Sequence, residues 1–119
     1  MDTNSDYIVV LTNLPDRHTA QAMAQHLLEL RLAACVNVLS PCLSIYHWQE
    51  KIETAEEVPV LIKSRSSDFD AIEKAIRAKH PYEVPEIISL PITMGYSGYL
   101  NWIQTATNRS NNQQNSSLQ

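Results

Sequence analysis

Ala34-Cys-Val-Asn-Val-Leu-Ser-Pro-Cys-Leu-Ser-Ile-Tyr-His-Trp48 is the stretch that decides the fold. Its apolar parity runs through Val36 and Val38, then switches to Leu43 and Ile45 across Ser40-Pro41. One inserted residue produces such a switch, and proline is tolerated at a bulge because it removes a ladder donor. The spacing predicts a single long, bent strand of about 14 residues, spanning roughly 45 Å.

Upstream, Tyr7-Ile-Val-Val-Leu-Thr-Asn13 is β-branched and apolar, and it stops at Leu14-Pro15-Asp16, where a proline and a capping aspartate open a helix. Ala20, Met23, Ala24, Leu27 and Leu28 fall on one face of that helix, which runs to about Arg31. Downstream, Glu50 to Glu57 reads as a charged, exposed hairpin tip, and Val58-Pro-Val-Leu-Ile-Lys63 as the returning strand. Ser66 or Ser67 then caps a second helix carrying Phe69, Ile72 and Ile76, which ends before His80-Pro81. Ile88, Leu90, Ile92 and Met94 alternate as a fourth strand, and Tyr99, Leu100 and Ile103 dock a short terminal helix.

This order, βαββαβ plus a C-terminal helix, is an α+β, ferredoxin-like arrangement with a long hairpin between its second and third strands. One domain over residues 1–106 accounts for the pattern, and 107–119 reads as a disordered polar tail that cannot offset its ordering entropy. The first helix, about 16 residues, covers only roughly 24 Å, so half of the hairpin projects bare. Apolar residues on an uncovered hairpin are an aggregation hazard unless other subunits close over them, so the geometry itself calls for a closed oligomer.

The charge balance, 9 basic against 13 acidic residues, offers no basic stripe for nucleic acid or anionic lipid, so neither is expected as a partner. No apolar run approaches a membrane span, and the polar first residues predict a cytoplasmic protein. Cys35 and Cys42 stand roughly 23 Å apart on one extended strand and cannot pair within the chain.

His80-Pro-Tyr-Glu-Val-Pro-Glu-Ile87 concentrates functional side chains between two prolines. His80 and Glu86, with Cys35 as a soft donor, are the candidate ligands for a divalent metal, set against the simpler reading in which His80 and Glu86 hydrogen-bond structurally and Cys35 is a small buried hydrophobe. Lys63, Tyr82, Glu83, Tyr99 and Trp102 are the candidate lining of a ligand cleft, and the aromatic side chains alternatively glue an interface. No phosphate loop, nucleophile elbow, His-Glu-x-x-His or Cys-x-x-Cys is present, which disfavours an ordinary enzyme.

Four segments in order carry a resemblance. Ala33-Ala-Cys-Val-Asn37, Ser44-Ile-Tyr-His-Trp48 with Lys51-Ile-Glu53, His80 to Ile87, and Tyr99-Leu-Asn-Trp-Ile103 resemble the CutA divalent-cation tolerance family across residues 7–106. The resemblance implies a homotrimer of ferredoxin-like subunits, a role in the response to divalent cations, copper binding in bacterial members, and no shared catalytic activity. In relatives, copper has been placed on a cysteine and a histidine pair whose positions hold Thr12, Lys79 and His80 here, so only His80 matches. Glu50 stands where relatives carry glycine, at the expected hairpin tip. Two further roles stay open: a PII-like signalling module binding a small effector in intersubunit clefts, and a structural scaffold for other proteins.

Overall fold

The computed structural model describes residues 5–109. Its elements are β1 (Tyr7–Leu14), α1 (Arg17–Glu29), β2 (Cys35–Val38), β3 (Cys42–Trp48), β4 (Lys51–Arg65), α2 (Phe69–Lys79), β5 (Ile88–Pro91) and α3 (Ser97–Ala106), with one 3-10 turn at Ser66–Asp68. The strands form an antiparallel sheet in the order β2-β4-β1-β5, and β3 continues along β4 beyond β2. This is the ferredoxin-like fold expected from the pattern. No helix among the described residues is long and apolar enough to cross a membrane.

Alternation along β1 sorts the two faces of the sheet. Ile8, Val10 and Leu14 point to the helices, as do Val58, Val60 and Ile62 of β4, and there they meet Ala20, Met23, Leu27, Ile72 and Ile76 in one buried core. Asp16 caps α1 by accepting from the Thr19 N–H at 2.7 Å, and this bond holds its carboxyl below the usual range. The helix ends in a left-handed residue, Arg31 at φ 57°, with Leu32 N–H reaching back to the Leu27 carbonyl and Arg31 N–H to that of Leu28. That pair of bonds is a Schellman closure, with arginine where glycine is usual.

The inserted residue at Ser40-Pro41 is present. Val38 pairs with Val60 and Cys42 with Glu57, so four steps on one side match three on the other. The insertion divides the long strand into β2 and β3, a correction to the single continuous strand, because Pro41 and its neighbours drop out of the ladder.

A second correction concerns the tip. Lys51 to Glu57 is not a charged loop but the outer half of β4, paired residue by residue with β3. The loop is Gln49-Glu50 alone, with φ of 51° and 67°. Positive φ at both central residues is what a tight type I′ hairpin turn demands, and it is costly for residues with a Cβ. Glu50→Gly is therefore expected to stabilise the protein by ~0.5–1 kcal/mol, the relief of left-handed strain less the extra entropy of glycine in the unfolded chain. Thermal melts of the two proteins measure it.

Three further expectations shift. Neither Ser66 nor Ser67 caps α2 with its side chain, because the chain enters through the 3-10 turn and Asp68 occupies the cap. β5 stops at Pro91 rather than Met94, with Met94 88% exposed and a last main-chain bond from Ile92 N–H to the Tyr7 carbonyl. Thr107 and Arg109, assigned by sequence to the polar tail, are held against the body: Thr107 is fully buried and Arg109 pairs with Asp68 at 2.6 Å. Residues 110–119 of that tail lie outside the described residues.

Candidate functional site

Beyond the core the hairpin of β3 and β4 runs on without a helix. Leu43, Ile45 and Ile52 on one of its faces are each more than 60% exposed. The other face carries Ser44, Tyr46 and Trp48 opposite Ala55, Glu53 and Lys51. Against this second face lies the segment Tyr82–Glu86, and the space between them is a cleft of about 880 Å³. That volume is of the size that holds a small molecule.

His80 fixes one wall. It is 9% exposed, its Nε2 lies 2.7 Å from the Asn13 carbonyl, and its Nδ1 accepts the Tyr82 N–H at 3.1 Å. An N–H donor at Nδ1 requires a lone pair there, so the proton resides on Nε2 and is donated to Asn13. The ring is thereby the bolt that holds the end of α2, the end of β1 and the cleft segment together. The Asn13 amide completes the connection by donating to Glu86 Oε1 at 2.8 Å.

Tyr82 faces the cleft beside Glu57. Burial first, and then its hydrogen bond to the Glu57 carboxylate, push the Tyr82 phenol from 10.0 up to about 12. A phenol raised in the folded state contributes stability that is complete below the unfolded value near 10 and lost as pH rises through about 12. Tyr82→Phe is expected to blunt alkaline destabilisation in that window. Ultraviolet titration of tyrosinate should show one late-titrating group vanish in the variant.

The structure brings together some of the sequence-predicted residues and separates others. Tyr82, Glu83 and Glu86 line the cleft, whereas Lys63, Tyr99 and Trp102 do not. Lys63 lies on the outer face of the sheet between Val9 and Cys35, and Tyr99 and Trp102 pair on α3 with ring centroids 5.4 Å apart. His80 and Glu86 both hold Asn13, but Cys35 pairs with Lys63, four residues along β4 from the Pro59 that pairs with Asn13, or about 13 Å away along the strand. Thr12 is buried in the core with its hydroxyl unpartnered. Among the described residues, no three His, Cys, Asp or Glu side chains converge as metal ligands.

Sequence reasoning overlooked Asn13 and Glu57. Each carried a readable signal, since an amide stands on the strand parity of Val9 and Leu11, and a carboxylate directly precedes the apolar run from Val58.

A ferredoxin-like sheet with a projecting hairpin and a cleft at its root defines the structural class. The family model described as CutA1 divalent ion tolerance protein matches residues 8–106. The divalent-cation tolerance protein CutA of Pectobacterium atrosepticum is 43% identical over 101 residues, 85% of this chain and 92% of that protein. That of Thermus thermophilus is 40% identical over 99 residues, 83% and 96% of the two chains. The crystal structure of CutA1 from Shewanella sp. SIB1 superposes with a TM-score of 0.84 at 40% identity, covering 87% of this chain and 96% of that one. The chain belongs to the CutA1 divalent ion tolerance family, which takes its name from a cellular response rather than from a reaction.

Proposed function

We propose that the chain serves divalent-cation tolerance as a non-catalytic homotrimer, with the cleft beside the hairpin as its ligand site. The observation that carries this reading is the hairpin, whose apolar residues Leu43, Ile45 and Ile52 are left uncovered by the described residues of their own chain. The outer face of the sheet offers a matching apolar surface through Ile88 and Leu90, which are about half exposed. Hairpin and sheet face are different patches, so a contact between them is heterologous and closes only as a ring. Three is the smallest such ring beyond a two-fold pair.

As a set of metal ligands, His80, Glu86 and Cys35 do not fit one protomer: both ring nitrogens of His80 are spent, Glu86 holds Asn13, and Cys35 lies elsewhere on the sheet. Copper or another divalent ion can reach His80 only by displacing Tyr82 N–H or the Asn13 carbonyl. The reading therefore places ligand capture in the cleft, and it leaves His80 the work of shaping that cleft.

Light scattering tests the assembly, with three times the protomer mass expected and a monomer overturning the reading. Ile52→Asp should release monomers, because a carboxylate on the covered stripe would be desolvated without a partner. Calorimetric titration with copper and zinc, on the wild type and His80→Ala, tests the metal part. Tight binding lost only in the variant would restore His80 as a ligand.

A further inference from the structure

We infer that the cleft takes an organic cation: an ammonium group, or a short chain of them, carried on an aliphatic stem. The inference rests on the reading of the cleft as the ligand site and names the chemistry it selects. Two independent features support it.

The first is an uncompensated buried charge. Glu57 is only 8% exposed and lines the cleft, and none of the ion pairs among the described residues includes it. The group that faces it is the Tyr82 phenol, a neutral donor and not a cation. Buried carboxylates are ordinarily paired with a cation, because desolvation is otherwise unrelieved. Glu53, Glu83 and Glu86 stand around the same space, and among the described residues no lysine or arginine lines it.

The second feature is the wall. Tyr46, Trp48 and Tyr82 contribute aromatic rings to the cleft. Aromatic faces attract ammonium groups through the ring quadrupole, and apolar walls favour a hydrocarbon stem between the charged ends. A strongly hydrated divalent ion gains little from such a wall and asks instead for converging ligands, which the described residues do not supply. One deep carboxylate with three more towards the rim suits a ligand with several separated positive charges.

Spermidine is the probe, titrated calorimetrically into the full chain while light scattering monitors assembly. Saturable binding is expected, weakened roughly tenfold or more by Glu57→Gln, which keeps an acceptor for Tyr82 but removes the charge. Trp48→Ala should weaken it as well, whereas Asp70→Asn, on α2 outside the cleft, should bind as wild type does. Equal binding by wild type and Glu57→Gln would overturn the inference in favour of diffuse charge attraction. Stoichiometric displacement of spermidine by copper or zinc with the same dependence on Glu57 would also overturn it, in favour of a metal. A trimer that binds no spermidine defeats the inference while leaving the assembly intact, and a monomer that binds none defeats the reading beneath it.

Discussion

Replacing His80 with alanine is expected to cost about 2–4 kcal/mol of stability, because one ring satisfies two main-chain groups that its loss would strand. The Asn13 carbonyl ends β1 and the Tyr82 N–H begins the cleft segment, and both are bonded to this imidazole alone among the side chains described. The Tyr82 ring, 4.7 Å from that of His80, loses its neighbour at the same time. Denaturant unfolding should show a lower midpoint for the variant. Hydrogen exchange should rise first at Tyr82. A variant as stable as the wild type would mean that water replaces the imidazole without penalty, and the bolt would then be no bolt.

Asp68→Ala is the second large effect, expected at about 2–3 kcal/mol. The Asp68 side chain is 5% exposed and accepts from both terminal nitrogens of Arg109, at 2.6 and 3.3 Å, with Arg65 Nε at 3.7 Å. Breaking a fully buried pair costs more, but the Arg109 side chain is 37% exposed and recovers part of its hydration when freed. Arg109 also donates to the Arg31 carbonyl, and Arg65 to that of Thr107, so the same carboxylate ties the end of α1 to the end of α3. Loss of stability should be accompanied by proteolytic sensitivity near Thr107. Asp68→Asn, retaining the shape, should recover only part of the difference.

The order of elements was legible because the core residues obey their periods: Ile8, Val10 and Leu14 at every second position or multiple of it, and Met23 with Leu27 at helical spacing. The bulge was legible too, since Val36 and Val38 face the helices on one parity and Leu43 and Ile45 keep the other. What failed was the outer half of β4. Lys51 to Thr54 are all exposed with no helix behind them, so no burial imposes alternation there, and the charged residues up to Glu57 mimic a loop. The Ser66-Ser67 cap failed for a different reason: Asp68 takes the cap position while its carboxylate serves Arg109, more than 40 residues away.

The candidate site was half legible. The segment His80 to Ile87 announced itself by composition, and Tyr82, Glu83 and Glu86 do line the cleft. The work of His80 was hidden, because its acceptor lies 67 positions earlier in the chain and no local pattern records a bond of that range. The same applies to Glu57, whose position on the cleft wall follows from the turn at Gln49-Glu50 and the pairing it starts.

β1 lies at the centre of the sheet, between β4 and β5, and no strand made near it in sequence is its neighbour. Tyr7 pairs with Arg65 and Ile8 with Pro91. During synthesis the first strand therefore waits for the middle of the chain to emerge, an interval of roughly 3–12 s at ordinary elongation rates. Throughout that time α1 can cover one face of this apolar, β-prone segment, but both of its edges lack their native strand partners and are open to like segments of neighbouring nascent chains. Slow initiation on the messenger, which spaces ribosomes apart, is therefore expected to raise the yield of folded protein.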